Sequence, residues 1–128
     1  MRPLSRNYRG ERTLINSLEI LRTHFMTEYF HAEILDQTDG VVTVQIGFGS
    51  PEANTKIVPD AIAALGALNL KGGRGIRFTG PASLPAAMAL AHAVAHLFGY
   101  VACWDPKLSG YVVAVSHDPA LPPGQLLT

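Results

Sequence analysis

The chain has almost nothing with which to build covalent cross-links, since Cys103 is the single cysteine among 128 residues. One thiol cannot close an internal disulfide, so a reducing compartment, the cytoplasm, is expected. Net charge is missing as well, with ten basic residues set against ten acidic ones. That balance argues against a protein that coats long DNA through a broad basic surface. No apolar run approaches the roughly 20 residues needed to span a bilayer, so no membrane segment is expected. The first residues carry scattered arginines and acids in place of the apolar centre of a secretory signal. What remains is a folding composition, with 48% apolar and 16% charged residues, and at this length one domain around one core is expected.

The little charge there is lies unevenly. Arg2, Arg6, Arg9, Arg12 and Arg22 fall in the first segment against only Glu11 and Glu19, so the rest of the chain is net acidic. Leu14, Leu18, Leu21 and Phe25 recur at helical spacing and form one apolar stripe. Such a stripe fits a helix packed on the domain or on a second subunit, and the arginines also suit a basic arm that touches nucleotide phosphates. A third possibility is a start at Met26 that makes the segment dispensable. Residues 1–25 are therefore set apart as an extension, and residues 26–128 as the domain.

Within that domain, residues 29–35 and 41–48 alternate enough to predict two strands, with Asp39-Gly40 as the turn of a hairpin. His31 on the first of them reads as a strand side chain facing solvent or a neighbour. Ile57, Ile62, Leu65 and Leu68, with Pro59 near the start, predict a helix that ends before Lys71-Gly72-Gly73. Residues 75–79 form a short strand broken by Gly80-Pro81. Ser83 is the expected N-cap of a second helix over residues 84–97, stopped by Gly99. Two further strands, at 100–104 and 111–116, flank Asp105 to Gly110, and the proline-rich end after His117 is expected to lie on the surface. The order β-β-α-β-α-β-β predicts a compact α/β fold with a mixed sheet. Each strand-helix-strand unit needs a parallel crossover, so the middle of the sheet is expected to be parallel, with an antiparallel hairpin at either end.

The chemically capable groups fall at the ends of these elements. Gly80, Pro81 and Ser83 sit where a strand gives way to a helix N-terminus, a place that attracts anions. His92 and His96, four residues apart, share a helical face and could chelate a metal, or could be two packed imidazoles. His117 and Asp105 could add ligands. Chain direction separates them, however: the second helix runs opposite to the strand after it and the last strand returns antiparallel. His96 and His117 are therefore expected at one pole of the sheet, and Asp105 with Lys107 at the other.

The segments GIRFTGPASLP, LAHAVAH, YVACWDPKLSGYVVAVSH and LPPGQLL resemble the small CRISPR-associated ring nucleases of the Csx-three family. The resemblance spans about residues 29–127 and is most specific from His96 through Asp105-Pro106-Lys107 to Ser116-His117. It implies a fold related to the Rossmann-like CRISPR-associated nucleotide sensors. The implied activity is metal-dependent, manganese-favouring cleavage of cyclic tetra-adenylate, which switches off type III CRISPR signalling. RNA 3′-deadenylation, with short RNA as the substrate, and non-catalytic sensing of the cyclic ligand are the alternatives. It also implies a homodimer that stacks into tetramers or filaments on ligand binding, with the ring held between copies. Carried onto matching positions, His96, Asp105 and His117 become catalytic candidates, with His96 and His117 as candidate metal ligands. Gly80, Pro81, Ser83, Lys107 and Ser116 become candidates for substrate binding. Lys107 stands where the family pattern favours arginine, which turns a bidentate grip into a point charge. The Leu-Ser-Gly connection after it is one residue longer than the pattern. A plain interaction module, docking through the first segment, is the remaining reading.

Overall fold

A computed structural model describes residues 24–128, of which 24–26 by backbone alone. The elements follow as β1 (His24–Met26), β2 (Phe30–Thr38), β3 (Val41–Phe48), α1 (Asn54–Gly66), β4 (Gly75–Thr79), α2 (Leu84–Val94), β5 (Tyr100–Asp105), β6 (Gly110–Ser116) and β7 (Leu126–Leu127). All seven strands lie in one sheet, and their order in space is their order along the chain. β3, β4 and β5 run parallel, and the other neighbours pair antiparallel, as the crossover rule requires.

A sheet that grows in one direction through right-handed crossovers places every crossover helix on the same face. α1 and α2 accordingly pack against one another on that face. The order of the described strands contains no reversal, so among them the ligand crevice that a doubly wound sheet opens at its switch point has no counterpart. The core lies between helices and sheet. Phe30, Val44, Ile76 and Val101 meet Ala61, Leu65, Leu90 and Val94, all buried, and each large side chain so placed contributes about 2 kcal/mol. On the opposite face, Tyr100, Ala102 and Val113 form a smaller cluster packed against Tyr111, Leu121 and Leu127. Among the described residues no helix is long and apolar enough to cross a membrane.

Several boundaries differ from the sequence expectation, each for a local reason. β2 runs on to Thr38 through an irregularity between Ile34 and Asp36, leaving Asp39 and Gly40 alone as the turn, both at positive φ (54° and 78°). α1 begins at Asn54, one turn before the predicted start, with Pro59 inside it. Ile62 is not a core residue of that helix: it is 47% exposed, whereas Ile57, Leu65 and Leu68 are buried. α2 ends at Val94 with Ala95 as its C-cap, so His96 lies beyond the helix and not on it. The C-terminal segment does more than lie on the surface, because Leu126 and Leu127 extend the sheet beside Val112 and Tyr111. Phe25, taken above as the last member of a helical stripe, belongs to β1, which pairs Phe25 with Ala32 and so satisfies part of the sheet edge. The remainder of the predicted N-terminal helix lies outside the described residues.

Candidate functional site

The imidazoles and the acid-lysine pair occupy opposite poles. β5 starts at Tyr100, whose partner is Ser116, and ends at Asp105, opposite Gly110. At about 3.3 Å per residue the two ends stand roughly 17 Å apart.

At the first pole the turn after α2 meets the end of β6. The rings of His96 and His117 stack with centroids 5.4 Å apart and planes 26° from parallel. His117 is held from three sides. Its backbone N–H donates to the carbonyl of Gly99 at 2.8 Å. The Ser116 hydroxyl closes a turn over Asp118, accepting from its N–H and donating to its carbonyl, each at 3.0 Å. The ring nitrogen Nε2 lies 2.9 Å from the carbonyl oxygen of Ala95. A carbonyl only accepts, so Nε2 carries the proton, and Nδ1 of the neutral ring is left as the free acceptor. His96 thus pairs with His117 and not with its sequence neighbour His92. Ser116, a predicted substrate contact, spends its hydroxyl on the turn that fixes His117.

At the second pole Asp105 folds its own loop. Its Oδ1 accepts from the N–H of Lys107 at 2.9 Å and of Leu108 at 3.3 Å. Lys107 is exposed. Next along the sheet edge lies the loop between β4 and α2. Ser83 caps α2 as predicted, its hydroxyl accepting from Ala86 N–H at 3.3 Å. Ala87 N–H takes the Ser83 carbonyl, and Pro85 has no N–H to offer. The amides of Ser83 and Leu84 have no hydrogen-bond partner among the described residues. Gly80 sits at φ +114°, and a Cβ there would fall on the carbonyl oxygen of Ile46. Only glycine lets the loop pass that close to β3.

One chain therefore brings His96 to His117 and puts Asp105 and Lys107 at the same pole as the Gly80-Pro81-Ser83 loop, but does not bring the two groups together. Among the described residues no three histidine, cysteine, aspartate or glutamate side chains cluster as a metal site. Sequence patterning had also passed over a grouping on the face without helices. Arg77 donates from Nε to the Tyr100 hydroxyl at 3.1 Å and places its guanidinium 5.3 Å above the Tyr111 ring, against which Trp104 stands edge-on at 5.2 Å. Alternation along β4, β5 and β6 puts all four on one face, and that was the available signal.

The model of the family described as CRISPR-associated protein (Cas_csx3) matches residues 51–128, more than half of the chain. The chain belongs to this family. The matched stretch runs from just before α1 to the C-terminus, so it takes in both poles and leaves out β1, β2 and β3. Membership ties the chain to CRISPR systems. No curated protein matches it.

Proposed function

We propose that the protein is a ring nuclease, a phosphodiesterase that opens cyclic tetra-adenylate and thereby ends type III CRISPR signalling. The observation that carries this is the stacked pair His96 and His117, with one ring nitrogen fixed as a donor and its partner nitrogen free. Membership in a CRISPR-associated family supports the choice of substrate.

The residues suit an internal transesterification. Nδ1 of His117 takes the proton of a ribose 2′-hydroxyl, whose oxygen attacks the adjacent phosphorus. A P–O2′ bond forms and the P–O5′ bond breaks, and protonated His96 gives its proton to the departing 5′ oxygen. The product is a linear oligoadenylate ending in a 2′,3′-cyclic phosphate. Lys107 and the free amides of Ser83 and Leu84 hold phosphates of the same ring from a second copy, since their own copy keeps them a sheet length away. Two copies stacked pole to pole complete the site, on top of a homodimer.

A divalent ion, manganese by expectation, fits this donor set only in part. The His96 ring and the free nitrogen of His117 offer two ligands, and substrate oxygens with Asp105 of a second copy would have to supply the rest. When bound, the ion would neutralise charge on the phosphoryl group. A nitrogen that binds the ion cannot also take the proton, so activity in excess chelator distinguishes the two uses of His117.

Incubation with cyclic tetra-adenylate and manganese, followed by separation of products, is the test. Linear product is expected, reduced at least about 100-fold in His117→Ala, the usual scale for losing a general base. Intact ring, with His117→Ala no different from the parent, sinks the proposal. The missing three-ligand cluster favours a second reading, a sensor that binds the ring without consuming it. Tight binding with quantitative recovery of the ring selects that reading.

A further inference from the structure

We propose that the cavity between the β2–β3 turn and the loop before β4 holds one adenine of the ring and selects it through Gln37. The ligand is that of the proposed function, on which the proposal rests, and the addition is the site that reads the base. The cavity measures about 190 Å³. That is room for one planar base, whereas a drug-sized ligand takes about 300 Å³ or more. Its apolar wall comes from Val42, Leu70 and Phe98, and its exposed lining side chains include Gln37, Asp39 and Lys71. An apolar slot with a few polar groups is the usual form of a small-ligand site. The cavity also lies at the imidazole pole. Gly73 N–H donates to the carbonyl of Leu97 and Gly99 N–H to that of Gly73, each at 3.1 Å, while the Gly99 carbonyl accepts from His117. The loop before β4 is thereby tied to the segment that follows His96 and anchors His117. Phe98 is two residues from His96, at most about 7 Å along the chain. A base seated beside Phe98 is held at the pole where the proposed chemistry takes place, with Lys71 at hand for a phosphate.

The irregularity in β2 is what brings Gln37 there. Ile34 pairs with Val44 on the helix-bearing face, and regular alternation would put Asp36 on that face and Gln37 on the other. The extra residue shifts the register, so Gln37 pairs with buried Val42 and shares its face. Bulges beside functional sites re-aim side chains in this way. Thr38 spends its hydroxyl on Asp36, 3.1 Å from both carboxylate oxygens. The side-chain amide of Gln37 and the carboxylate of Asp39 have no hydrogen-bond partner among the described residues. A glutamine amide offers an acceptor and a donor side by side, the complement of N6 and N7 of adenine. The carboxylate only accepts, so it too suits a base with an amino group and opposes one with a carbonyl. Gln37 and Asp39 lie outside residues 51–128, so family membership does not by itself prescribe this contact.

The test compares the full chain with Gln37→Leu and Lys71→Ala on two rings, cyclic tetra-adenylate and cyclic tetra-inosinate, whose bases carry a carbonyl oxygen in place of the N6 amino group. Gln37→Leu is expected to raise KM for the adenylate ring at least about 5-fold, the lower end for one bidentate base contact. Its kcat, and its KM for the inosinate ring, stay near the parental values. Lys71→Ala weakens both rings alike, because a phosphate contact carries no base identity. Gln37 is exposed, so its replacement leaves the fold intact, checked by an unchanged melting temperature. A preference for adenine that survives Gln37→Leu, or that Lys71→Ala reduces equally, overturns the proposal. Where the rings bind but are not cleaved, dissociation constants take the place of KM, so the base site is decided even if the proposed chemistry fails. Cleavage with an unchanged preference in Gln37→Leu leaves the enzyme standing and removes the base site. Binding of neither ring removes both.

Discussion

Gly80 shows how one residue serves both stability and the ligand loop. Its φ of +114° is strained for any other residue, and the neighbouring β3 backbone leaves no room for a methyl group. Backbone atoms cannot rotate away as a side chain would, so Gly80→Ala forces the loop itself to shift. Strain of this kind costs about 1 to 3 kcal/mol, and urea unfolding of Gly80→Ala is expected to show a loss in that range. Ring binding should weaken with it, because Ser83 and Leu84 move with the displaced loop. His117 differs in that its backbone and turn bonds are set by Gly99 and Ser116, and its ring adds one bond to Ala95. His117→Ala should therefore melt within a few degrees of the parent, a check that lost activity is lost chemistry.

At the scale of elements, β7 carries more than its two residues suggest. Val113 N–H donates to Gln125 and Gly124 N–H donates to Val113, while Leu127 covers the Tyr111 side of the face without helices. A chain ending at Gly124 loses Leu126 and Leu127 and bares part of Val113, now only 1% exposed. About 2 kcal/mol should be lost by burial alone, read as a lower urea midpoint. β7 is also where sequence patterning falls short, because a two-residue strand after a run of prolines has no period to detect. Strands with alternation or β-branched runs, such as residues 41–48 and 75–79, were legible to the residue. So was the cap at Ser83, since a serine before a proline-led apolar run has one physical use there. Ile62 was misplaced because heptad-like spacing marks a face without saying how wide its partner is. The separation of the histidines from Asp105 followed from chain direction, but the stacking of His96 on His117 depended on where α2 stops, which spacing does not fix.

For the whole molecule, the proposed function makes a copy head-to-tail complementary, the pole with His96 and His117 meeting the pole with Lys107 and the Ser83 loop of the next. Contacts of this heterologous kind continue until geometry closes them. Under the proposed function, variants damaged at opposite poles should rescue one another. His117→Ala and Lys107→Ala, each inactive, are expected to regain about a quarter of parental ring cleavage when mixed in equal amounts, the fraction of random junctions that joins two intact ends. Mixing that restores nothing means that no junction between copies forms the site.

The unbroken agreement between strand order in space and along the chain has a consequence for biogenesis. Each strand pairs with the one before it in the chain, so the sheet can be built in the order of synthesis, with the long crossovers through α1 and α2 as its slower steps.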